Sequence, residues 1–328
     1  MIFDKAVRFL DGGDRFILTV HETPDGDAVG SQAAMGRALA KLGKRVLMMN
    51  ADPIPQKFRF LDRENNIQVL ESENQIPEDV RDYRLLIMDT NDINNIGQIR
   101  DSVIPRVRDY FIIDHHEQQE NIQTEDLIIR DASSTCEILY DLFAEMSLPL
   151  DREIAAALYV GIVYDTGSFI YPKTTAKTFL IAHSLVLQGI NPNEIYSRIY
   201  ESNSISSLIL QSRVMSTLEL HFDNHVAIQT MGKKTVIACG ASYEEADAFI
   251  NIPLKSEDVL VSIFFKENME GIMRCSLRSK GNINVAEIAQ EFSGGGHKTA
   301  AGFKCRDSVE ETKKTILNRL SKYFAKVS

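Results

Sequence analysis

Short apolar runs alternate with helix-patterned segments along roughly the first 190 residues of the chain. Runs rich in β-branched and aromatic residues are typical of buried strands, whereas an apolar residue every three to four positions predicts a helix. The predicted strands are 16–20, 45–49, 85–88, 110–113 and 127–129, and the predicted helices are 31–42, 135–146 and 152–164. This alternation predicts βαβ units, and therefore an α/β domain with a mostly parallel sheet flanked by helices.

The pattern changes after Gly189. Two helical segments, 193–200 and 206–216, are followed by strand patterns at 226–229, 236–238, 259–265 and 271–278 and by helical patterns at 284–292 and 309–324. The sequence therefore predicts a first domain of residues 1–190, a helical connector of 191–224 and a smaller α/β domain of 225–328.

Composition and charge narrow the class of protein. Hydrophobic residues make up 44% of the chain and charged residues 25%, as is usual for globular domains. The net charge of −10 argues against long double-stranded nucleic acid as a partner. Residues 258–328 carry a balance of +4 and residues 1–257 one of −14, which suits a small anionic substrate shared between them. Chance unevenness would explain this difference equally well.

The N-terminal residues and the cysteines bear on the compartment. Residues 1–15 are interrupted by charged side chains, so we expect neither a signal peptide nor a membrane span. The four cysteines lie 103, 36 and 30 residues apart, which matches no zinc-finger spacing and argues against a disulfide framework. We therefore expect a cytoplasmic protein that does not contact a membrane.

Acidic residues and histidines follow three of the predicted strands directly. His21, Asp25 and Asp27 follow the first strand, Asp89 follows 85–88, and Asp114-His115-His116 follows 110–113. The carboxyl ends of parallel strands meet at one edge of a sheet, where ligands bind. Carboxylates placed so close together repel one another and need a cation between them. The sequence therefore predicts a metal site at this edge.

Taken singly, each of these features has a simpler explanation. Asp25-Gly26 is a turn signal, a strand-end aspartate usually caps a helix, and a pair of histidines is more often on the surface. The spacing His-x₃-Asp-x-Asp, combined with acidic residues on two further strand ends, favours the metal site. Gly30 and Ser31 are predicted to open the next helix, whose free N–H groups favour phosphate.

Four motifs follow one another along the first domain. They are His21-x-x-Pro24-Asp25-x-Asp27-x-x-Gly30-Ser31, Asp89, Asp114-His115-His116 and Asp165-Thr166-Gly167. In order and spacing they resemble the motifs of the DHH phosphoesterase family. Residues 276–279, Gly294-Gly295-Gly296-His297 and 300–303 resemble the DHH-associated C-terminal domain. The compact layout is similar to the bacterial group of oligoribonucleases and 3′-phosphoadenosine 5′-phosphate phosphatases.

The resemblance implies two Mn²⁺ ions, or other divalent ions, per chain. One ion would be held by His21, Asp25 and Asp89, and the other by Asp27, Asp89, His115 and Asp165. Asp89 would bridge the two ions. Oxygen-rich ligation with a minority of imidazole is also what Mn²⁺ prefers. His116 would be catalytic, donating a hydrogen bond to a phosphate oxygen of the substrate.

The C-terminal domain is expected to bind the substrate's anionic groups. The resemblance implies that Arg278, Ser279, Gly294, Gly295, Gly296 and His297 form this subsite. A glycine triplet alone would be typical of a flexible loop, but beside Arg278 and His297 it favours a phosphate cradle. The active site is then expected in the cleft between the two domains.

Several segments differ from the family pattern or have two interpretations. Many members carry arginine within the segment 94–97 and a polar or basic residue at Ile170, and segment 117–120 is unusually acidic. None is at a ligand position, so these differences bear on substrate preference. Ser133-Ser134-Thr135 resembles a family segment near the site, but it is also a typical helix N-cap.

The predicted activity is two-metal hydrolysis of a phosphoester in short oligoribonucleotides, in 3′-phosphoadenosine 5′-phosphate, or in both. The alternative is a cyclic di-adenosine monophosphate or pApA phosphodiesterase. A pyrophosphatase or exopolyphosphatase and a non-catalytic nucleotide-binding protein fit the residues less well. A homodimer is compatible with the sequence.

Overall fold

The protein is described by a computed structural model that covers residues 2–116 and 126–324. Segment 117–120, which differs from the family pattern, lies outside the described residues. The chain divides into two compact units, Met1–Ser202 and Asn203–Ser328. None of the helices in the described part of the chain combines the length and the hydrophobicity that spanning a bilayer requires.

The first unit is built on a six-stranded sheet in which all neighbouring strands pair in parallel. Its strands are β1 (Arg15–Thr19), β2 (Arg45–Asn50), β3 (Ile67–Val69), β4 (Arg84–Met88), β5 (Asp109–Asp114) and β6 (Leu127–Ile128). The strand order is β3-β2-β1-β4-β5-β6. This is a doubly wound order, in which the chain direction across the sheet reverses between β1 and β4. The predicted α/β class and parallel sheet are confirmed.

Helices cover both faces of this sheet. They are α1 (Asp4–Asp11), α2 (Gly26–Lys41), α3 (Gln98–Ser102), α4 (Thr135–Glu145), α5 (Arg152–Asp165), α6 (Ala176–Val186) and α7 (Pro192–Tyr200). Alternate residues of a strand face opposite sides, and β1 shows this clearly. Phe16 and Leu18 belong to the core beneath α2, α4 and α5, whereas Ile17 belongs to a second core with Ile99 of α3.

Helix α2 begins earlier than the sequence predicted. Its first residue is Gly26, and the Asp25 side chain caps it by accepting hydrogen bonds from the backbone N–H groups of Asp27 and Ala28. Gly30 and Ser31 therefore lie in the second turn, where both are buried. The prediction that these two residues open the helix toward a phosphate is wrong, because the aspartate at position 25 already provides the cap.

The second unit is built on a mixed six-stranded sheet of order β11-β12-β10-β9-β8-β7. Its strands are β7 (Glu219–His221), β8 (Val226–Met231), β9 (Val261–Glu267), β10 (Met273–Ser279), β11 (Gly295–His297) and β12 (Ala300–Lys304). Its helices are α8 (Ile205–Met215), α9 (Lys233–Cys239), α10 (Val285–Glu291) and α11 (Val309–Phe324). Only β8 and β9 pair in parallel; the other neighbours are antiparallel.

The strand predicted at 236–238 is wrong, because these residues lie within helix α9. The β-branched run there is short and is followed by Gly240, which has φ +64° and ends the helix in a left-handed conformation. Val236 packs against α8 and so favours the helix. The two helices predicted as a connector exist, but α7 packs in the first unit through Ile195, and α8 packs in the second through Leu210.

Candidate metal centre

The six predicted ligands come together at the carboxyl edge of the first sheet, where its winding direction reverses. The loop after β1 carries His21, Asp25 and Asp27, and the residue after β4 is Asp89. Parallel pairing of β1 with β4 places these two strand ends side by side. His115 follows β5, and Asp165 is the last residue of α5. A ligand site at this position is a general property of doubly wound sheets.

One group of potential ligands contains His21, Asp25 and Asp89, each with one ligand atom within 4.8 Å of the others. His21 Nε2 lies 3.6 Å from Asp89 Oδ2. His21 Nδ1 lies 2.7 Å from the carbonyl oxygen of Glu22. A carbonyl oxygen can only accept, so Nδ1 carries the proton and Nε2 presents its lone pair. This is the tautomer that a metal-binding histidine needs.

A second group contains Asp27, His115 and Asp165 under the same distance limit. His115 Nε2 lies 3.0 Å from Asp165 Oδ2, 3.6 Å from Asp89 Oδ1 and 3.9 Å from Asp27 Oδ2. This nitrogen is buried and has no hydrogen-bond partner within the described part of the chain. A buried polar atom without a partner is costly, and a cation between the carboxylates would satisfy it.

Burial and mutual repulsion raise the pKa values of Asp27, Asp89 and Asp165. Burial, with a smaller contribution from Asp165, raises the pKa of Asp27 to about 6. Burial and then the charge of Asp25 raise the pKa of Asp165 to about 7. The pKa of Asp89 lies well above its usual value, first because of burial and then because of Asp27. Carboxylates that resist ionisation without a counter-charge, beside two imidazoles, fit a divalent metal site.

His116 is oriented by Asp114 rather than by the ligand cluster. Its Nδ1 lies 2.7 Å from Asp114 Oδ1, while Asn91 donates to Asp114 Oδ2 at 2.7 Å. Burial lowers the pKa of His116, but the Asp114 carboxylate more than offsets this, so the pKa lies above its usual value. Asp114 also lies within a third group of ligand atoms, with Asp89, His115 and His116. Both of its oxygens are already hydrogen-bonded.

The start of α4 holds Asp27 and Asp89 in place. The backbone N–H of Thr135 donates to Asp27 Oδ2 at 2.6 Å, and that of Cys136 donates to Oδ1 at 3.0 Å. The Thr135 hydroxyl also donates to Asp89 Oδ1 at 3.0 Å. Ser134 caps the same helix. Both interpretations of Ser133-Ser134-Thr135 therefore hold, but the contribution of Cys136 was missed because a backbone donor has no sequence signature.

Close packing of helices also positions Asp27. A Cβ atom at Gly161 of α5 would lie 2.4 Å from Asp27 Oδ1, and one at Gly30 of α2 would lie 2.6 Å from the Ala157 carbonyl oxygen. These two glycines let α2 and α5 approach closely enough to bring Asp165 beside Asp27.

Lys173, a second residue missed from the sequence, donates to the carbonyl oxygen of His115 at 3.2 Å. It adds a positive charge at the edge of the cluster.

The predicted anion-binding residues of the second unit lie on neighbouring strands. β11 pairs with β12 so that His297 is opposite Ala300, and β12 pairs with β10 so that Ala300 is opposite Arg278. Arg278 and His297 therefore belong to one row across the sheet. The Ser279 hydroxyl donates to the Ile283 carbonyl oxygen at 2.7 Å, so it can only accept from a ligand.

Gly295 and Gly296 of the glycine triplet lie in strand β11 and Gly294 directly precedes it, and the three glycines differ in their surroundings. A Cβ atom at Gly294 would lie 2.3 Å from the Gly302 carbonyl oxygen, and one at Gly296, where φ is +133°, would lie 2.4 Å from that of Ala300. Both glycines are therefore required for pairing with β12. Gly295 faces open space, with no atom within 4 Å of an added Cβ. It is the member of the triplet that a ligand can approach.

The chain belongs to the DHH family. It matches the DHH family N-terminal domain over residues 15–162 and the DHHA1 domain over residues 225–326. The first match contains five of the six predicted ligands and ends three residues before Asp165, and the second contains Arg278 and His297. The recognition of the family from its motifs is thereby confirmed.

Relatives of known name span nearly the whole chain. The bifunctional oligoribonuclease and PAP phosphatase NrnA of Thermus thermophilus is 28% identical over 87% of this chain and 82% of its own length. The probable bifunctional oligoribonuclease and PAP phosphatase NrnA of Streptococcus mutans is 30% identical, covering 88% of this chain and 89% of that one. The crystal structure of an exopolyphosphatase-related protein from Bacteroides fragilis matches with a TM-score of 0.91 at 26% identity, covering 99% and 96%.

A relative with a different name covers a similar part of this chain. The cyclic-di-AMP phosphodiesterase PdeA of Listeria monocytogenes is 25% identical over 95% of this chain, but the match spans only 48% of that protein.

Proposed function

We propose that this protein is a two-metal phosphoesterase that hydrolyses short oligoribonucleotides and 3′-phosphoadenosine 5′-phosphate. The observation that carries the proposal is the pair of ligand groups at the carboxyl edge of the first sheet, one around Asp89 and one around His115. Relatives named as oligoribonucleases and PAP phosphatases that align over more than four-fifths of both chains support the substrate class.

We assign the ligands as the motifs imply. His21, Asp25 and Asp89 would hold one Mn²⁺ ion, and Asp27, Asp89, His115 and Asp165 the other. Such ions, when bound, supply Lewis-acid activation of water and neutralise charge on the phosphoryl group. The protein's own contribution is to hold these side chains in place: Asp25 through the N-cap of α2, and Asp27 through two backbone N–H groups of α4.

His116 would act on the substrate rather than on an ion. Asp114 holds Nδ1, which orients the ring and favours its protonated form. A protonated His116 would donate through Nε2 to a phosphate oxygen and stabilise negative charge developing there. Lys173, held by the His115 carbonyl oxygen, would add a second positive charge near the phosphoryl group.

The second unit would bind a part of the nucleotide that is not being hydrolysed. Arg278 can grip a phosphate with two N–H groups, and the open surface over Gly295 lets a ligand approach the backbone. His297 and Ser279 would complete this subsite, and Gly294 and Gly296 would support it by pairing with β12.

We propose the cytoplasm as the site of action. All four cysteines are free thiols, as in proteins of reducing compartments. The relatives' substrates, short RNA and a nucleotide, are intracellular molecules.

A cyclic di-adenosine monophosphate phosphodiesterase is the second candidate, favoured by the relative from Listeria. It is less well supported, because that protein is about twice as long as the segment that it shares with this chain. Turnover of a substrate panel separates the candidates: dinucleotides, 3′-phosphoadenosine 5′-phosphate, cyclic di-adenosine monophosphate and pyrophosphate, each with Mn²⁺ and with EDTA. We expect Mn²⁺-dependent release of mononucleotides from dinucleotides and of phosphate from 3′-phosphoadenosine 5′-phosphate. Preferential cleavage of the cyclic substrate would favour the second candidate, and metal-independent turnover would contradict both.

A further inference from the structure

A second candidate site lies in the first unit, at the end of α5 opposite to the metal centre. It is a cavity of about 140 Å³ lined by residues of α2, α5, α7 and the segment 60–63. Arg152, the first residue of α5, lines it, whereas Asp165, the last residue of that 14-residue helix, belongs to the metal cluster. At a rise of 1.5 Å per residue the two ends are roughly 20 Å apart.

Four arginines line this cavity: Arg37, Arg63, Arg152 and Arg198. Two of them form ion pairs with the two glutamates that also line the cavity. Arg37 lies 3.1 Å from Glu153, and Arg198 lies 3.0 Å from Glu194. Within the described part of the chain, Arg63 and Arg152 have no carboxylate within ion-pair distance. The lining therefore carries two positive charges in excess, inside a part of the chain whose overall balance is strongly negative.

Two helices direct their N-termini toward the same place. Arg152 opens α5, and Asn191, which also lines the cavity, caps the nine-residue α7. Both ends are capped, however: the Asp151 carboxylate accepts from the backbone N–H of Ile154, and the Asn191 side chain accepts from those of Asn193 and Glu194, so the positive charge of the cavity comes from its arginines. Arg37 is fixed further by donating to the Leu61 carbonyl oxygen at 2.9 Å, so one wall of the cavity is preorganised.

We propose that this cavity binds a phosphate group, with Arg63 and Arg152 as its principal ligands. Guanidinium groups match the geometry of tetrahedral phosphate oxygens through paired N–H donors. A phosphate dianion would neutralise the excess of two charges. The volume suits one phosphate group rather than a whole dinucleotide, so the ligand is inorganic phosphate or the phosphate end of a mononucleotide. The site does not use the metal centre and is independent of the proposed catalytic function.

Equilibrium dialysis of the Mn²⁺-loaded full-length protein against inorganic phosphate tests the proposal. We expect wild type to bind one more phosphate per chain than the double variant Arg63→Gln/Arg152→Gln, and chelation to leave this phosphate in place. Loss of each arginine should weaken binding by about tenfold, as expected for a charge-assisted hydrogen bond. The matched control is Arg59→Gln/Arg81→Gln, which removes two exposed arginines outside the cavity and should bind as wild type does.

A second measurement avoids substitution altogether. Phosphate should protect Arg63 and Arg152 of the wild-type protein from modification by phenylglyoxal, as read by peptide mass spectrometry, and leave Arg59 and Arg81 unprotected. In a parallel arm, AMP should compete with phosphate for this site if a phosphate group is what it recognises. Equal phosphate binding by wild type and the cavity variant, or equal protection of all four arginines, would overturn the proposal.

Discussion

Asp114 and His116, two residues apart at the end of β5, are joined by a hydrogen bond of 2.7 Å between Oδ1 and Nδ1. Asp114 is completely buried, whereas the His116 side chain is 41% exposed. The Asp114 carboxylate therefore orients the imidazole of His116, and the imidazole is the member of the pair that a substrate can contact. This arrangement separates the second histidine of the motif from the first, since His115 is buried among the carboxylates that we propose as ligands.

From this pair we predict that substitution of either residue lowers the rate of catalysis without loss of metal. We expect His116→Ala to lower kcat by about 10²–10⁴-fold, the range for a positioned acid, with the metal content unchanged. Asp114→Asn should lower kcat in the same direction, because an amide neither stabilises the imidazolium nor fixes its ring equally well. Metal analysis of each purified variant beside its rate is the measurement. Loss of metal from His116→Ala would show that His116 is a ligand.

Substitution of Asp89 should be the most damaging single change in the ligand cluster. Its carboxylate lies 3.6 Å from both His21 Nε2 and His115 Nε2, so it is the residue that connects the two groups. We expect Asp89→Ala to reduce the rate by several orders of magnitude, because metal activation supplies much of the acceleration.

Asp89→Asn is the informative companion variant. Asp89 has φ +64°, a left-handed conformation that asparagine tolerates better than alanine does. We therefore expect Asp89→Asn to retain the wild-type fold by circular dichroism and yet to lose activity and metal. Full activity of the asparagine variant at saturating Mn²⁺ would contradict a bridging role.

The stability of the metal-free protein should depend on pH in a direction opposite to that of most aspartates. The pKa of Asp165 is about 7 in the folded protein, first because of burial, against about 3.9 in an unfolded chain. Between these values the folded state binds more protons, so the free energy of unfolding falls as the pH rises from about 4 to about 7. Thermal melts of the EDTA-treated protein should give a higher Tm at pH 5.5 than at pH 8.

Asp165→Asn tests the cause of that pH dependence. Without metal, we expect this variant to be more stable than wild type at pH 8 and to lose part of the pH dependence, while Asp11→Asn, at an exposed carboxylate, keeps it. With Mn²⁺ the order should reverse, because wild type gains binding energy that the variant lacks. An unchanged pH dependence in metal-free Asp165→Asn would show that its carboxyl group is not the source.

The Thr135 hydroxyl should matter for metal affinity, since it donates to Asp89 at 3.0 Å. Thr135→Val keeps the shape of the side chain and removes that donor, and we expect Mn²⁺ affinity to fall by about 10–100-fold, as for other partners of metal ligands. Thr135→Ser retains the hydroxyl and should remain close to wild type. Titration calorimetry with Mn²⁺ compares the three proteins, and equal affinities for valine and serine variants would exclude this role.

Whether a site residue could be predicted from the sequence depends on the element that places it in the site. His21 and Asp89 were predictable because an apolar run marks a strand, and parallel strands end at one edge. Asp165 ends a helix, so only the family motif indicated it. The N–H groups of Thr135 and Cys136 could not be predicted, because every residue carries such a donor and only tertiary packing aims it at Asp27.

The local sequence pattern also gave wrong predictions where tertiary packing determines the structure. The β-branched run at 236–238 predicted a strand but forms α9, because Val236 packs against α8 and Gly240 closes the turn. The glycine triplet was expected to form a ligand cradle as a whole. The close approach of β12 instead explains Gly294 and Gly296, which leaves Gly295 as the position open to a ligand.

The second unit should control which substrates are used rather than whether the metals bind. We expect Arg278→Ala and His297→Ala to raise KM for dinucleotides and for 3′-phosphoadenosine 5′-phosphate while the metal content stays the same, because a substrate contact that takes no part in the reaction mainly affects binding. The measurement is kcat and KM for each substrate in wild type and both variants.

Pyrophosphate provides the discriminating comparison for these variants. It lacks the nucleoside part of the proposed substrates, so it should be a poor substrate for wild type and nearly insensitive to Arg278→Ala. Gly295→Ala is a milder probe of the same surface, since an added Cβ there meets no atom within 4 Å of its own chain and can interfere only with a ligand. We expect Gly295→Ala to fold normally and to raise KM for nucleotides. Efficient pyrophosphate hydrolysis by wild type with indifference to nucleotides would overturn the substrate class while leaving the metal centre intact.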